Sequence, residues 1–242
     1  MDISTIITAY DKPIVTAAHV REVMSSTVLP KEIVVVNDGG DDSLLPMLKK
    51  LKRNCPIVYA KVLEDIPWNY NGACNLAVWL STGDVLAIED TDNIPQKDCY
   101  QEGLDVLETY PDVGRVIGRI RHEISAEQLS EPQDKWYVTG SRGANQGSYF
   151  MRRELYLILK GQDERFCGRY GWMYYDWKRR LLGKAKTKFA TGGIYYYVTD
   201  AQCGLKHHNH PQNYGFLRQN TRMEHLHNNH GILNFTFSLE RF

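Results

Sequence analysis

The feature that most constrains the fold is the unbroken run Ile33-Val34-Val35-Val36, closed by Asn37-Asp38-Gly39-Gly40. Four successive β-branched residues with no polar alternation suit a strand covered on both faces, the setting of a parallel sheet rather than a half-exposed antiparallel one. Parallel strands need helical crossovers, and the surrounding sequence supplies them. Residues 3 to 9 read as a first buried strand, ended by Tyr10-Asp11-Lys12-Pro13, and residues 14 to 26 as a helix. A basic helix over 43 to 53, a strand over Ile57 to Val62, a helix over Gly72 to Leu80 and a strand over Asp84 to Ile88 continue the alternation. The pattern predicts an α/β fold with a doubly wound, mostly parallel central sheet and helices on both faces. Ligands bind such sheets beyond the carboxyl ends of the strands, where strand order reverses. The residues to watch are therefore Tyr10 and Asp11, Asp38, and Glu89-Asp90-Thr91-Asp92.

Beyond residue 122 the alternation weakens. Glu123 to Gln133 reads as loop or short helix, Tyr149 to Leu159 as helix and Ile194 to Thr199 as strand. With no repeat and no low-complexity linker, the 242 residues are expected to form one domain, with residues 1–115 and 116–242 as its two halves. The chain carries 29 basic and 29 acidic residues, which removes any global attraction to nucleic acid or anionic membrane but leaves local patches open. Five scattered cysteines form no Cys-x-x-Cys pair and suggest neither a disulfide framework nor a cysteine zinc site. Asp2 stands where a signal peptide would be positive, and no apolar run approaches the ~18 residues needed to span a bilayer. A soluble, cytoplasmic protein is expected.

Three carboxylates in four positions, Glu89, Asp90 and Asp92, are costly to hold together after an apolar strand unless a cation or donor groups share their charge. Mg²⁺ and Mn²⁺ prefer such oxygen ligands, commonly one or two carboxylates plus phosphate oxygens. A solvated acidic turn is the alternative. Asp38 and the Asp90/Asp92 pair close different strands of one sheet and should face one crevice.

These stretches resemble the family 2 glycosyltransferases of the GT-A fold. Thr8-Ala9-Tyr10-Asp11 is similar to the family's Pro-Thr-Tyr-Asn, Asn37-Asp38-Gly39 to its Asp-Asp-Gly turn, and Ala73-Cys74-Asn75 to its Ala-Arg-Asn. Gly83-Asp84 followed by Val85-Leu86-Ala87-Ile88-Glu89 and Asp90-Thr91-Asp92 matches Gly-Asp, a strand and Asp-x-Asp. In the second half, Gly161 to Phe166 is similar to Gly-Gly-Phe-Asp-Glu-x-Phe, and Gly171 to Trp177 to Gly-x-Glu-Asp-x-Asp-Leu. There the family's Glu-Asp pair, whose aspartate usually serves as base in inverting members, falls on Met173-Tyr174, and only Asp176 remains.

The resemblance implies a GT-A nucleotide-sugar-binding fold and transfer of a sugar from a nucleoside diphosphate sugar, a UDP-sugar first, to a hydroxyl acceptor. It implies nucleotide binding by Ala9, Tyr10, Asp11, Asp38, Asn75 and Asp90. Asp38 would serve the base and Asp90 the ribose. Asp92, with one of His207, His208 and His210 and His208 as first choice, would bind Mn²⁺ or Mg²⁺. Asp163, Glu164 and Trp172 would line the acceptor or sugar side. Asp176 is the chosen base, with Asp163 and Glu164 in reserve; the alternative for Asp176 is a helix residue holding Arg179 or Arg180.

Six of the eight histidines lie between His207 and His230, of which His225, His227 and His230 are read as structural. Lys178 to Lys188 contains six basic residues and no acid, either a solvated face or a site for an anionic acceptor such as a glycan, a lipid phosphate or a modified nucleic acid. The tyrosines at 174, 175 and 195 to 197 suit stacking or core filling. No Gly-x-Gly-x-x-Gly follows the first strand, against a dinucleotide oxidoreductase. The Ala9 to Pro13 loop is not the Gly-rich basic loop of a nucleotidyltransferase. The alternative from another class is a non-catalytic sugar-nucleotide or glycan binding module that kept the donor site and lost the base.

Overall fold

A computed structural model describes residues 1–168, 171, 173–199 and 235–242. Strands β1 (Ile3–Ala9), β2 (Glu32–Asn37), β3 (Ile57–Val62) and β4 (Val85–Asp90) alternate with helices α1 (Pro13–Val23), α2 (Leu44–Lys49) and α3 (Tyr70–Leu80). After β4 come the short β5 (Asn93–Pro95), α4 (Cys99–Thr109), the long β6 (Val113–Glu123), β7 (Gly140–Gly143), β8 (Tyr149–Arg152), α5 (Arg153–Ile158), α6 (Met173–Leu181), β9 (Lys186–Tyr197) and β10 (Phe237–Arg241). One sheet runs β10-β3-β2-β1-β4-β8-β6-β9-β5, with β7 paired to β6.

The Ile33–Val36 run is continuous because both sheet faces are covered. Ile33 and Val35 enter one core with Ile7, Val20, Leu48, Leu104 and Phe150, beneath α1, α2 and α4. Val34 and Val36 enter the opposite core with Ile6, Leu76, Ala77, Ile88 and Trp177, beneath α3, α5 and α6. Burying each such side chain contributes about 1.5–3 kcal/mol.

The sheet is mixed rather than purely parallel. β1 pairs in parallel with β2 and β4, as do β2 with β3 and β6 with β9, but β8 runs antiparallel to both β4 and β6, and β10 antiparallel to β3. The expected helix from Tyr149 begins as strand: Tyr149–Arg152 inserts between β4 and β6, and only Arg153–Ile158 is helical. Its apolar residues fit either period, and pairing with two strands decides for extension. The polar stretch after Glu123 forms two 3₁₀ turns, Ala126–Ser130 and Gln133–Lys135, as a loop or short helix would. Among the described residues no helix is long and apolar enough to cross a membrane.

Gly103 of α4 lies against the wholly buried Phe150 ring, where an added Cβ would sit 2.6 Å from Cδ2. Helix propensity alone makes Gly→Ala favourable by about 1 kcal/mol, whereas overpacking costs about 1–3 kcal/mol. Gly103→Ala is expected to lower the thermal midpoint. A raised midpoint in calorimetry would show that α4 does not press on the sheet as described.

Candidate functional site

Register brings the flagged residues together. In the parallel ladders Ala9 lies opposite Asn37 and Thr8 opposite Asp90, so the segments leaving β1, β2 and β4 emerge side by side. Strand order β3-β2-β1-β4 reverses beside β1, making this the switch point of the sheet.

Between β1 and β2, two turns interlock. Asp11 adopts φ 48°, and its Oδ1 accepts the Asp41 N–H at 3.1 Å. Gly39 turns at φ 80°, and a Cβ on Gly40 would lie 2.7 Å from the Asp11 nitrogen, so glycine is required there. Asn37 Oδ1 accepts the Gly40 N–H at 3.0 Å and closes the turn. Asp38 is buried, with Oδ1 accepting from Asn69 Nδ2 at 2.8 Å. Burial, reinforced by nearby Asp65 and opposed by Asn69, pushes its carboxyl up to about 7. Tyr10 is exposed, its hydroxyl donating to Asp65 at 3.3 Å. Ala9 is buried, so only its backbone can serve a ligand.

The three clustered carboxylates separate onto two faces. Asp90 accepts from Asn145 Nδ2 at 2.7 Å, and burial together with the Asp92 charge raises it to about 6. Asp92 Oδ2 accepts from Lys12 Nζ at 3.0 Å and Oδ1 from Asn93 Nδ2 at 2.8 Å. Two hard carboxylates fit a Mg²⁺ or Mn²⁺ site completed by oxygen ligands from outside the pair, although Lys12 already donates to one oxygen of Asp92. Among the described residues no group of three or more His, Cys, Asp or Glu could hold a metal.

Glu89 points the other way and leaves the acidic cluster. Its buried Oε2 lies 2.8 Å from His19 Nε2 of α1 and 3.2 Å from the Tyr100 hydroxyl of α4, which also meets Thr5 Oγ1 at 2.7 Å. His19 Nδ1 is 3.0 Å from the Thr91 carbonyl, and Thr16 Oγ1 is 2.7 Å from Thr91 Oγ1. A carbonyl only accepts, so Nδ1 carries a proton. Burial raises Glu89 while His19 and Tyr100 oppose the rise.

In the second half, Asn75, expected on the nucleotide, turns its side chain to protein partners. Its Nδ2 donates to Gln162 O and Glu164 Oε1, and its Oδ1 accepts from the Tyr156 hydroxyl and the Gln162 N–H, so all four positions are filled inside the protein. Asn75 fastens α3 to the 161–164 loop. Asp163 is buried and takes the Arg165 N–H, Nε and Nη2. Glu164 is half-buried, and burial raises its carboxyl. Asp176 accepts from Arg180 Nε at 2.8 Å, and Arg180 also donates to the Leu159 and Gly161 carbonyls at 2.7 and 2.6 Å. This is the i,i+4 contact named above as the alternative to a base. The Tyr174 hydroxyl donates to Gln146 Oε1 at 2.7 Å, beneath the buried Arg115 guanidinium 5.4 Å from its ring. In the basic run, Lys186 pairs with Asp112 and Lys188 covers the Tyr110 ring. Tyr195 and Tyr197 fill the core. Trp172 and His207, His208, His210, His225, His227 and His230 lie outside the described residues.

A sequence-family model described as "Glycosyl transferase family 2" matches residues 4–175. The chain belongs to glycosyl transferase family 2. No curated protein sequence matches it. Similar solved structures include S. aureus TarS 1-349, at 13% identity and TM-score 0.59 over 84% of this chain and 62% of that one. The same protein in complex with UDP-GlcNAc gives 13% and 0.60, over 82% of this chain and 59% of that one. The mannosyltransferase PcManGT from Pyrobaculum calidifontis, in complex with GDP-Man and Mn²⁺, gives 15% and 0.57, over 80% and 56%. The chain thus spans less than two thirds of each of these chains, and at such identities the likeness is one of fold, the GT-A fold.

Within this family 2 chain, sequence reasoning missed Lys12, His19, Asn69 and Asn145, all of which touch the flagged residues. Lys12, directly beside the Tyr10-Asp11 motif, and Asn69, at the start of a helix, carried a weak signal. His19 and Asn145 carried none. Removing one partner of the His19–Glu89 pair should be severe: Glu89→Ala is expected to cost about 3–5 kcal/mol in urea unfolding. Glu89→Gln, which keeps a side-chain oxygen near His19, should cost clearly less. Equal losses would mean that only volume matters at this position.

Proposed function

We propose that this chain moves a sugar from a nucleoside diphosphate sugar to a hydroxyl acceptor, with a UDP-sugar as donor and Mn²⁺ or Mg²⁺ at Asp92. The observation that carries the reading is the convergence of Tyr10, Asp11, Asp38, Asp90 and Asp92 at one switch point in a family 2 chain. PcManGT holds GDP-Man with Mn²⁺ and TarS holds UDP-GlcNAc on similar folds, which supports a nucleotide-sugar donor. Residues 1–115 would serve the donor and 116–242 the acceptor within a single domain. A cytoplasmic setting agrees with the free thiols of Cys55, Cys74, Cys99 and Cys167.

In this reading Asp38 accepts an N–H of the base while exposed Tyr10 lies beside the ring. Asn69 already donates to Asp38 Oδ1. The carboxylate keeps further acceptor positions for the imide N–H that uracil offers. Asp11 holds the loop around the nucleoside, and Asp90 faces the ribose. A divalent ion at Asp92, with a histidine of the 207–210 stretch, would stabilise the charge that develops on the diphosphate leaving group.

For the acceptor proton, Asp176, Asp163 and Glu164 differ in their partners. Asp176 and Asp163 each face an arginine, whereas Glu164 takes a neutral amide; burial raises the carboxyls of both Glu164 and Asp176, but at Asp176 the Arg180 charge opposes the rise while at Glu164 only the amide does, which suits a base working near neutrality. We therefore assign the base to Glu164 ahead of Asp176. Glu164→Gln should lower turnover by about 10²–10⁴-fold with donor binding kept. A similar loss in Asp176→Asn, with Glu164→Gln active, would reverse the assignment. The second reading, binding without transfer, is favoured by one observation, the Tyr174 hydroxyl bound to Gln146 where the family's carboxylate pair would stand. Donor binding with no release of sugar in the unmodified protein would establish it.

Ligand at about 100 times its dissociation constant adds roughly 2.7 kcal/mol, and each kcal/mol raises the midpoint about 2–4 °C at this length. UDP or a UDP-sugar with Mn²⁺ should therefore raise the midpoint by several degrees, and more than GDP does. No shift with any nucleotide would refute both readings. Asp92→Asn should abolish the Mn²⁺ dependence of that shift.

Asp38 sets a pH dependence. Its folded value of about 7 lies above the ordinary 3.8, so the protonated form favours the folded state, and that contribution is lost as pH rises through about 7. The base needs the ionised form. UDP affinity should consequently fall about tenfold between pH 8 and pH 6. The ratio of wild-type to Asp38→Asn affinities, measured calorimetrically at both pH values, should carry this change, because titration of UDP itself cancels. A constant ratio would contradict the role of Asp38.

A further inference from the structure

Lys12 brings to this site a charge that opposes the expected cofactor. Its ammonium is largely buried, at 12% exposure, and donates to Asp92 Oδ2 at 3.0 Å. It lowers the carboxyl of Asp90 as well, so its charge reaches both acids. The backbone delivers it there. Lys12 is the last residue before α1, Pro13 fixes the first turn, and the Lys12 carbonyl accepts both the Thr16 N–H at 2.9 Å and Thr16 Oγ1 at 2.7 Å. Thr16 Oγ1 in turn meets Thr91 Oγ1, between the two acids, so lysine and acidic motif are fixed to the same turn of helix. α1 has no acidic residue in its first turn, which leaves the positive end of its dipole on the same side.

Such a pair differs from a surface ion pair, because both partners are substantially removed from water and screening is weak. A divalent ion taking Asp92 Oδ2 as ligand would stand within a few ångströms of the ammonium, and two cations at that separation repel. One of them must leave the oxygen.

We propose that Lys12 is a resident counter-cation of the acidic pair, competing with the divalent ion for Asp92 and giving the metal-free site a positive group for a diphosphate. The proposal rests on the assignment of Asp92 above and adds a second ionic state of the donor site, one that binds a nucleoside diphosphate without metal.

The test uses Mn²⁺ alone, with free ion measured by electron paramagnetic resonance, and needs no turnover. Lys12→Met keeps the aliphatic stem and should bind Mn²⁺ at least tenfold more tightly than wild type, whereas Lys12→Arg should stay near wild type. Asp92→Asn should abolish binding in either background. Equal affinity of wild type and Lys12→Met, or no Mn²⁺ binding by any variant, would overturn the competition. In excess chelator, UDP should stabilise the wild type and Lys12→Arg but not Lys12→Met. Equal stabilisation of Lys12→Met would overturn the diphosphate role. Failure of the nucleotide-sugar reading would show differently, as no effect of UDP on any protein while the Mn²⁺ arm still gives its answer. Circular dichroism of each variant establishes that it is folded.

Discussion

The hydrogen bond between His19 and Glu89, buried at 2.8 Å between α1 and β4, is the contact on which the arrangement of the acidic motif depends. A hydrophobic pair at these positions would pack the helix against the sheet equally well, but it would leave the Thr91 carbonyl without the donor that His19 Nδ1 supplies. With Nδ1 protonated, His19 either carries a second proton toward an ionised Glu89 or accepts one from the neutral acid. In both cases a single proton serves the pair, and the Tyr100 hydroxyl donates to the same oxygen. An aqueous site could exchange these partners at little cost. A buried one cannot, since each unpaired group would bear its full desolvation penalty. Thr91 is thus held by its carbonyl and its hydroxyl, and the acids on either side of it inherit that position.

Around this anchor, charge is concentrated rather than averaged. The balanced totals of 29 basic and 29 acidic residues conceal a carboxylate-rich edge where β1, β2 and β4 end. Asp38 and Asp90 are raised to about 7 and about 6, chiefly because burial disfavours their ionised forms. Groups in that condition gain most from a partner that carries the missing positive charge or hydrogen-bond donor. Each raised carboxyl already has one amide donor, Asn69 for Asp38 and Asn145 for Asp90, which fixes orientation without supplying charge. Lys12 supplies charge to Asp92 by direct contact.

The first half of the fold was legible because its strands are buried on both faces and announce themselves as apolar runs, with the candidate acids directly after them. Tyr10, Asp11, Asp38, Asp90 and Asp92 follow from that rule. Glu89 shows its limit: alternation along β4 sends it to the face opposite Asp90, and the acidic cluster read from spacing was one residue too large. Asn75 shows another. A motif gives the position of an amide along a helix but not whether its four hydrogen-bonding sites are already filled, and here Tyr156, Gln162 and Glu164 fill them. The second half was less legible because its strands pair over long sequence distances. Tyr149–Arg152 became a strand by insertion between β4 and β6, and Phe237–Arg241 by joining the free edge of β3, neither of which a local pattern records.

The same reasoning orders the acids of the second half. Burial raises the Asp176 carboxyl, but the Arg180 guanidinium opposes that rise, and the arginine's other donors to Leu159 and Gly161 resist rearrangement. Moving Asp176 toward an acceptor would therefore disturb the junction of α5 and α6 as well as one ion pair. Glu164 makes no such demand: its amide partner Asn75 stays in place through its three other hydrogen bonds if the carboxylate turns away. A group that accepts a proton during turnover must change its charge without unfastening its surroundings, and by that criterion the 161–166 loop is better built for the task than the first turn of α6.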